Sequence, residues 1–365
     1  MVAAVRRSSR AAVRTSASRP ALAMTKLEAA GNDFLVVLED TGRHDDRRRG
    51  DAGDADDGGD VADSDVDGGR TFTAAQVRAL CDRRRGVGAD GLIVGRRGGP
   101  GADLEMTLYN ADGTEAEMSG NGIRCLVHAA IAAGIVSPPR LRVATPTGVR
   151  TVDYGAATDG RAWARVDMGP VRLGSEVESP LPGTRARLAD AGNPHLVVIG
   201  DVDLDTVDLG SLGVAAVQAA GGPVNVEVVR PGRRGADLEL RVLERGVGET
   251  LACGTGTCAV AAVARAWGMA GDTVTVDNPG GRLEVRLGAT HGPDGSATDG
   301  PDMTVDGVEL AGPVRKIADV EVDAALVDRA FLDTTLVDAR VGPVSHGSQV
   351  SHGSHGSLVS DDEDG

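Results

Sequence analysis

Ser119-Gly120-Asn121-Gly122 opens a run that returns later in the chain as Cys253-Gly254-Thr255-Gly256, each time ahead of a segment rich in Ala and Val. Its flanking motifs return in the same order. Gly31-Asn32-Asp33, Asn110-Ala111-Asp112-Gly113 and Thr145-Pro146-Thr147-Gly148 surround the first copy; Gly192-Asn193-Pro194, Glu244-Arg245-Gly246-Val247 and Asn278-Pro279-Gly280-Gly281 surround the second. Asn110 to Ser119 and Glu244 to Cys253 both span 9 positions, while Ser119 to Pro146 spans 27 and Cys253 to Pro279 spans 26. Matched spacing of this kind implies two structural copies, each bringing a small nucleophilic side chain to a Gly-x-Gly turn. If the copies face one another, a hydroxyl and a thiol meet across one cleft.

The one spacing that disagrees locates an insertion. Asn32 to Ser119 is 87 positions and Asn193 to Cys253 is 60, and the surplus of 27 falls within residues 39–70. That stretch holds 12 acidic and 5 basic residues and almost nothing apolar, so it is expected to form a disordered surface loop. It supplies 7 of the formal net charge of −16, and Asp361, Asp362, Glu363 and Asp364 supply 4 more, leaving a mildly acidic folded part. No basic stripe with interleaved aromatics is present, which argues against nucleic acid as a partner. No apolar run is long enough for a secretory signal or a membrane span. Residues 1–23, with five Arg and no acidic residue, have a transit-peptide composition but read more simply as an extension ahead of Met24. Cys81, Cys125, Cys253 and Cys258 match no zinc spacing and are expected to be reduced thiols of a cytoplasmic protein. His346, His352 and His355 lie in a Ser- and Gly-rich tail without partners at fixed geometry, so no metal site is expected there.

Runs of Val, Leu and Ile predict short strands at 25–28, 34–38, 91–94, 104–108, 141–143, 164–166, 196–199, 225–229, 238–242, 274–276 and 283–286. Helices are predicted at 73–82, capped by Thr73, and at 123–133 and 257–267. The last two are apolar on every face and are therefore expected to be buried. Many short strands around such a helix, twice over, suggest a sheet wrapped about a central helix in both halves.

The reactive side chains then stand at two helix starts. A helix N-terminus offers unpaired backbone N–H groups and a partial positive charge, which hold a carboxylate and lower the pKa of a thiol. Gly120, Gly122, Gly254 and Gly256 let the backbone come close to such an anion. A substrate clamped by its carboxylate between the helix ends exposes opposite faces of its Cα to Ser119 and Cys253. That is the geometry of a two-base racemase or epimerase, in which the backbone donors stabilise the developing carbanion. No pyridoxal cofactor is needed, and the only lysines, Lys26 and Lys316, lie at the two ends of the folded part. Gly120 to Cys125 lacks the third glycine of a dinucleotide loop. Cys81, Cys125 and Cys258 read as inert filling; Cys125, six residues past Ser119, is turned away from it by about 600° of helix.

At these residues the chain resembles the diaminopimelate epimerase family over most of 25–318. The matching stretches are GNDF at 31–34, DRRRGVGADGL at 82–92, NADGTEAEM at 110–118, GNGIRC at 120–125, GNPH at 192–195, VNV at 224–226, ERGVGETLACGTG at 244–256 and NPGG at 278–281. The resemblance implies an α+β fold of two pseudo-symmetric domains, each a curved mixed sheet around a central helix, with the active site in the interdomain cleft. The expected division is 24–148 and 149–311, with 312–322 returning to the first domain and 323–365 a disordered tail. It implies conversion of LL-2,6-diaminopimelate to the meso form for lysine and peptidoglycan, with no cofactor and a small molecule as partner. Nothing in the sequence requires or forbids a homodimer. Carried over by position, Cys253 is a catalytic acid/base, supported by His195 and Glu244. Asn32, Asn110, Asn193 and Asn225 are substrate ligands; Gly120, Asn121, Gly254 and Thr255 supply main-chain donors; Glu244 and Arg245 line the distal end, where Arg245 can grip a second carboxylate.

This sequence departs from the family at two places. Ser119 stands where the family has its other catalytic cysteine, and Gly91 stands where many members have a substrate-binding Gln. A hydroxyl is a far weaker acid than a thiol and needs an activating neighbour to act as a base. Two alternatives follow: a hydroxyproline epimerase or dehydratase of the wider superfamily, disfavoured by ERGVGET and Arg245, and a non-catalytic diaminopimelate-binding protein.

Overall fold

The duplication is written into the strand pairing. In a computed structural model, the first half runs β1 (Leu22–Ala29), β2 (Asn32–Glu39), α1 (Ala74–Cys81), β3 (Gly91–Arg97), β4 (Leu104–Asn110), β5 (Glu115–Ala116), α2 (Gly120–Ala132), β6 (Arg140–Thr145), β7 (Gly148–Ala156) and β8 (Ala162–Val177). The second runs β9 (Arg185–Asp190), β10 (Pro194–Ile199), α3 (Leu209–Ala220), β11 (Asn225–Pro231), β12 (Leu238–Glu244), β13 (Gly248–Thr250), α4 (Gly254–Ala266), β14 (Thr273–Asn278), β15 (Gly281–Arg286), β16 (Thr290–His291) and β17 (Met303–Val322). From β1 to β8 the ladders are antiparallel β1–β2, parallel β2–β3, antiparallel β3–β4 and β4–β5, parallel β4–β6, then antiparallel β6–β7 and β7–β8. From β9 to β17 the same series recurs, with β10–β11 and β12–β14 as its parallel members. The structure describes residues 22–39, 70–116, 118–156, 162–233, 235–292, 302–323 and 326–327. Of the expected loop over 39–70, residues 40–69 lie outside them, as do residues 1–21 and the histidine-bearing tail; Glu39 ends β2 and takes the backbone N–H of Arg70.

Two long strands join the halves. β8 pairs with β7 over Ala162–Val166 and with β9 from Arg172 onward, and β17 lies antiparallel to β8 before pairing with β1 through Arg315 to Val322. The expected division at 148/149 falls at the head of β7, whose partners are β6 and β8, so the passage between halves lies within β8. Leu22 and Ala23, expected in the N-terminal extension, pair with Val322 and Glu321 in the sheet.

Each central helix is buried because it has no polar face to show. α2 packs against β1, β2, β3, β8 and β17, and α4 against β8, β9, β10, β11, β15 and β17. Ile123, Leu126, Val260, Val263, Val308 and Leu310 share one core that runs through both halves. Leu310 sits between the helix starts: a methyl group on Gly120 would lie 2.8 Å from its Cδ2, and one on Gly254 3.0 Å. Truncating Leu310 to Ala removes that wedge at about 2–5 kcal/mol. α1 covers the outer face of the first half with Val77 and Leu80, held at its start by a capping box between Thr73 and Gln76. α3 does the same for the second half with Leu212 and Ala216, between its cap Asp208 and left-handed Gly221.

Every predicted strand lies within an observed one, and helices 123–133 and 257–267 begin three residues earlier than predicted, at Gly120 and Gly254. α3 escaped notice because Gly210 and Gly213 depress helix propensity and it carries almost no polar residues to mark a face. β17 escaped because Gly307, at φ 58°, and Gly312-Pro313 break its alternation, with register shifts beside Val308.

Candidate functional site

Ser119 and Cys253 occupy the same place in the two copies. Each is the N-cap of its central helix in extended backbone, and each side chain accepts a hydrogen bond from the backbone N–H three residues on: Gly122 N to Ser119 Oγ at 3.0 Å, Gly256 N to Cys253 Sγ at 3.4 Å. The helix starts approach each other almost backbone to backbone. A methyl on Gly254 would sit 3.6 Å from both the N and Cα of Gly120. A cleft of about 330 Å³ opens beside them, lined by Asn32, Asp90, Asn110 and Ser119 from one half and by Glu244, Val247 and Thr250 from the other.

On the first-half side, the order is set by a chain of hydrogen bonds. Fully buried Arg124 donates from Nη2 to Asn121 Oδ1 at 2.6 Å, Asn121 Nδ2 donates to Asn32 Oδ1 at 3.1 Å, and Asn32 Nδ2 donates to Asp90 Oδ2 at 2.7 Å. Arg83 then clamps Asp90 and Asp33, each at 2.7 Å. Burial acts to raise the Asp33 carboxyl, but Arg83 and Lys26 hold it below its ordinary value. Asn110 donates to Thr114 Oγ1 at 3.1 Å at the end of β4. Gly91 carries no side chain because a methyl there would come within 2.6 Å of the Tyr109 carbonyl. Ser119 has no side-chain base among its hydrogen-bond partners in the described residues.

The second-half side is acidic. His195 is fully buried, with Nδ1 2.8 Å from Glu227 Oε1 and Nε2 2.9 Å from Asn193 Oδ1. Glu227 is itself fully buried, its Oε2 has no partner, and its Oε1 stands where a side chain on Gly256 would be. Glu244 accepts from Thr250 Oγ1 at 2.5 Å, and burial, with Glu227 adding to it, raises its carboxyl above the ordinary range. Asn225 accepts from the Arg245 backbone N–H at 2.8 Å and donates to the Pro194 carbonyl at 3.3 Å. The Arg245 guanidinium is exposed and has no hydrogen-bond or ion-pair partner among the described residues.

The expectation that the helix end lowers the Cys253 pKa is overturned. Burial first, then the carboxylates of Glu244 and Glu227, push the thiol well above its ordinary value, against the opposing pull of Thr255 Oγ1 at 3.3 Å and Gly256 N–H. A partial dipole charge does not outweigh a desolvated site with two nearby acids. Burial likewise pushes Cys81 and Cys258 up to about 12, in keeping with inert filling.

Three contributors were not singled out from sequence. Glu227 follows Asn225 at the alternate position of β11, so both face the same way, and a charge inside the run NVEVV was its signal. Arg124 is the one charged residue of α2. Asp90 lay inside the matched stretch 82–92 without a role. No cluster of His, Cys, Asp and Glu able to hold a metal occurs among the described residues, and none of the described helices is long and apolar enough to cross a membrane.

Comparison with known proteins gives a consistent result. The sequence profile of the diaminopimelate epimerase family matches residues 61–174 and 187–301. A diaminopimelate epimerase of Mycobacterium sp. (strain KMS) is 40% identical over 275 residues, covering 68% of this chain and 92% of that protein. One from Methanocella arvoryzae is 33% identical over 276 residues, covering 72% and 88%. Among solved structures, a hydroxyproline epimerase from Agrobacterium vitis aligns with a TM-score of 0.57 at 15% identity, covering 84% of this chain and 94% of that one, a likeness of fold.

Proposed function

The chain belongs to the diaminopimelate epimerase family, and from that premise we propose that it interconverts LL- and meso-2,6-diaminopimelate by removing and returning a Cα proton. One observation carries the reading: a hydroxyl and a thiol cap two helix starts that meet at Gly120 and Gly254 beside one cleft. The substrate carboxylate takes the free N–H groups of both starts, where the dipoles and preorganised donors stabilise the charge that builds as the Cα proton leaves. Cys253 serves one face. It rests as a neutral thiol and so is poised to give a proton; to take one it must ionise beside Glu244, whose raised carboxyl is readily neutralised. Ser119 serves the other face as a neutral hydroxyl, which makes the two directions unequal and the enzyme slow.

Asn32, Asn110, Asn193 and Asn225 read the amino and carboxylate groups with spare donors and acceptors, adding no charge. Arg245, exposed at the mouth, meets the distal carboxylate. The chemistry runs without pyridoxal: Lys26 is tied to Asp33 and Lys316 to Asp319, and neither lines the cleft. Both faces come from one chain, so a homodimer is not required by the site. The reaction belongs in the cytoplasm, feeding lysine and peptidoglycan synthesis.

The test is exchange of the substrate Cα hydrogen in D2O, followed by proton NMR with LL-diaminopimelate. Exchange together with meso product is expected; neither at high enzyme concentration overturns the reading. No side-chain base meets Ser119 among the described residues, which favours a second reading, a protein that binds diaminopimelate without turning it over. Calorimetric binding with a silent NMR spectrum would select it.

A further inference from the structure

Arg124 is the largest fully buried side chain among the described residues, and no carboxylate meets it. Its guanidinium donates to Asn121 Oδ1 and, at 3.2 Å, to the Gly120 carbonyl; its Nε has no partner. Other arginines with little exposure are treated differently: Arg96 reaches Glu39 at 2.7 Å, Arg165 reaches Glu284 at 3.0 Å and Arg230 reaches Glu239 at 2.6 Å. Space for the buried fork is made on β17, where a methyl on Gly312 would lie 3.3 Å from Arg124 Cζ. The matched position of the second half holds no cation. Cys258 stands five residues after Cys253, as Arg124 stands five after Ser119.

A buried charge without a counter-ion is strongly unfavourable. Burial has already pushed the guanidinium down to about 10. The charge lies directly behind two helix starts, each itself positive, in a site that the proposed function fills with a carboxylate. The hydrogen bonds add a directional argument. A guanidinium can only donate and an ionised carboxylate can only accept. With Arg124 at one end and Asp90 at the other, the amides of Asn121 and Asn32 between them have a single consistent orientation. In that orientation each amide uses one of its two N–H groups within the chain.

We infer that Arg124 is a positioning residue whose charge, unmatched in the empty protein, is matched by the substrate carboxylate at the paired helix starts, and whose fork locks Asn121 and Asn32 as donors toward that carboxylate. The inference rests on the proposed carboxylate site but not on the identity of the substrate.

Thermal unfolding of the full chain tests it, in matched sodium chloride, with and without sodium formate as a bare carboxylate, and with and without diaminopimelate. Wild type should gain stability from both ligands. Arg124→Met should keep or raise the ligand-free midpoint, yet bind both ligands at least about tenfold more weakly, as for loss of a charge-assisted contact. Arg124→Lys, which keeps the charge and loses the fork, should fall between, and it decides the matter if the Met variant does not fold. Exchange kinetics should show the Lys variant raised in KM more than lowered in kcat. A lower ligand-free midpoint in either variant with unchanged binding makes Arg124 merely structural and overturns the inference. Wild-type stabilisation by formate but not diaminopimelate, lost in Arg124→Met, refutes the substrate assignment and leaves the inference standing. Stabilisation by neither ligand overturns both.

Discussion

The starts of α2 and α4 share one backbone design and opposite surroundings. Each is capped by the small side chain that precedes it, Ser119 lining the cleft and Cys253 buried beside it, and both run Gly-x-Gly into a buried helix. Around Ser119 lie a buried cation and a chain of amides; around Cys253 lie two buried carboxylates and a histidine. The two halves therefore share a backbone frame at the helix start and differ in the charged groups around it. The frame can be kept while the reacting atom changes, because a cap needs only a small acceptor and serine meets that need as well as cysteine. The largest effect should come from the side with the chemistry built around it. Cys253→Ala should lower Cα exchange by about 10³-fold or more, the range of a lost general acid/base, with diaminopimelate binding retained by calorimetry. Retained exchange would show that the acidic half is not the reactive one.

The second test restores symmetry. Ser119→Cys places a thiol, a far stronger acid than a hydroxyl, at a cap whose geometry already accepts sulfur in the other copy. Exchange should rise about 10²-fold. A fall would mean that Ser119 has been matched to its surroundings and that the two sides are meant to differ.

Much of this comparison was legible from the sequence because it rests on backbone demands that few residues satisfy. Matched turns at Gly31 and Gly192 need left-handed φ values of 84° and 96°, so glycine marks both copies at the same place. The apolar runs of α2 and α4 could only be buried. What was not legible depends on contacts distant in sequence. Glu227 matters because β10 lies parallel to β11 with His195 opposite Asn225, two residues before it. Asp90 matters because its carboxylate meets Asn32 across 58 positions. The raised thiol of Cys253 needed both acids to be known, and the local rule for helix ends pointed the wrong way.

Glu227 gives the third test. Its charge helps hold the Cys253 thiol above its ordinary value, so neutralising it should let the thiol ionise more readily. Glu227→Gln is expected to move the alkaline-rising limb of the exchange profile to lower pH, as for removal of a nearby like charge. It also replaces the carboxylate oxygen that His195 Nδ1 meets, so the plateau rate should fall. A limb that stays in place would remove Glu227 from the proton chemistry and leave it a purely structural neighbour of Gly256.

The smallest effect distinguishes the two helix starts at a single matched position. Asn121 follows two residues after Ser119 and Thr255 two after Cys253, yet Asn121 faces Arg124 and Asn32 while Thr255 turns its hydroxyl to the sulfur. That contact favours the thiolate and opposes the two acids. Thr255→Val keeps the shape and deletes the hydroxyl, so the limb should move to higher pH, the reverse of the Glu227 variant. The shift should be smaller than for the Glu227 variant, as for loss of one weak hydrogen bond. The variants together test the sign of the whole argument: if both move the limb the same way, the Cys253 pKa is not set by the balance between its acids and its cap.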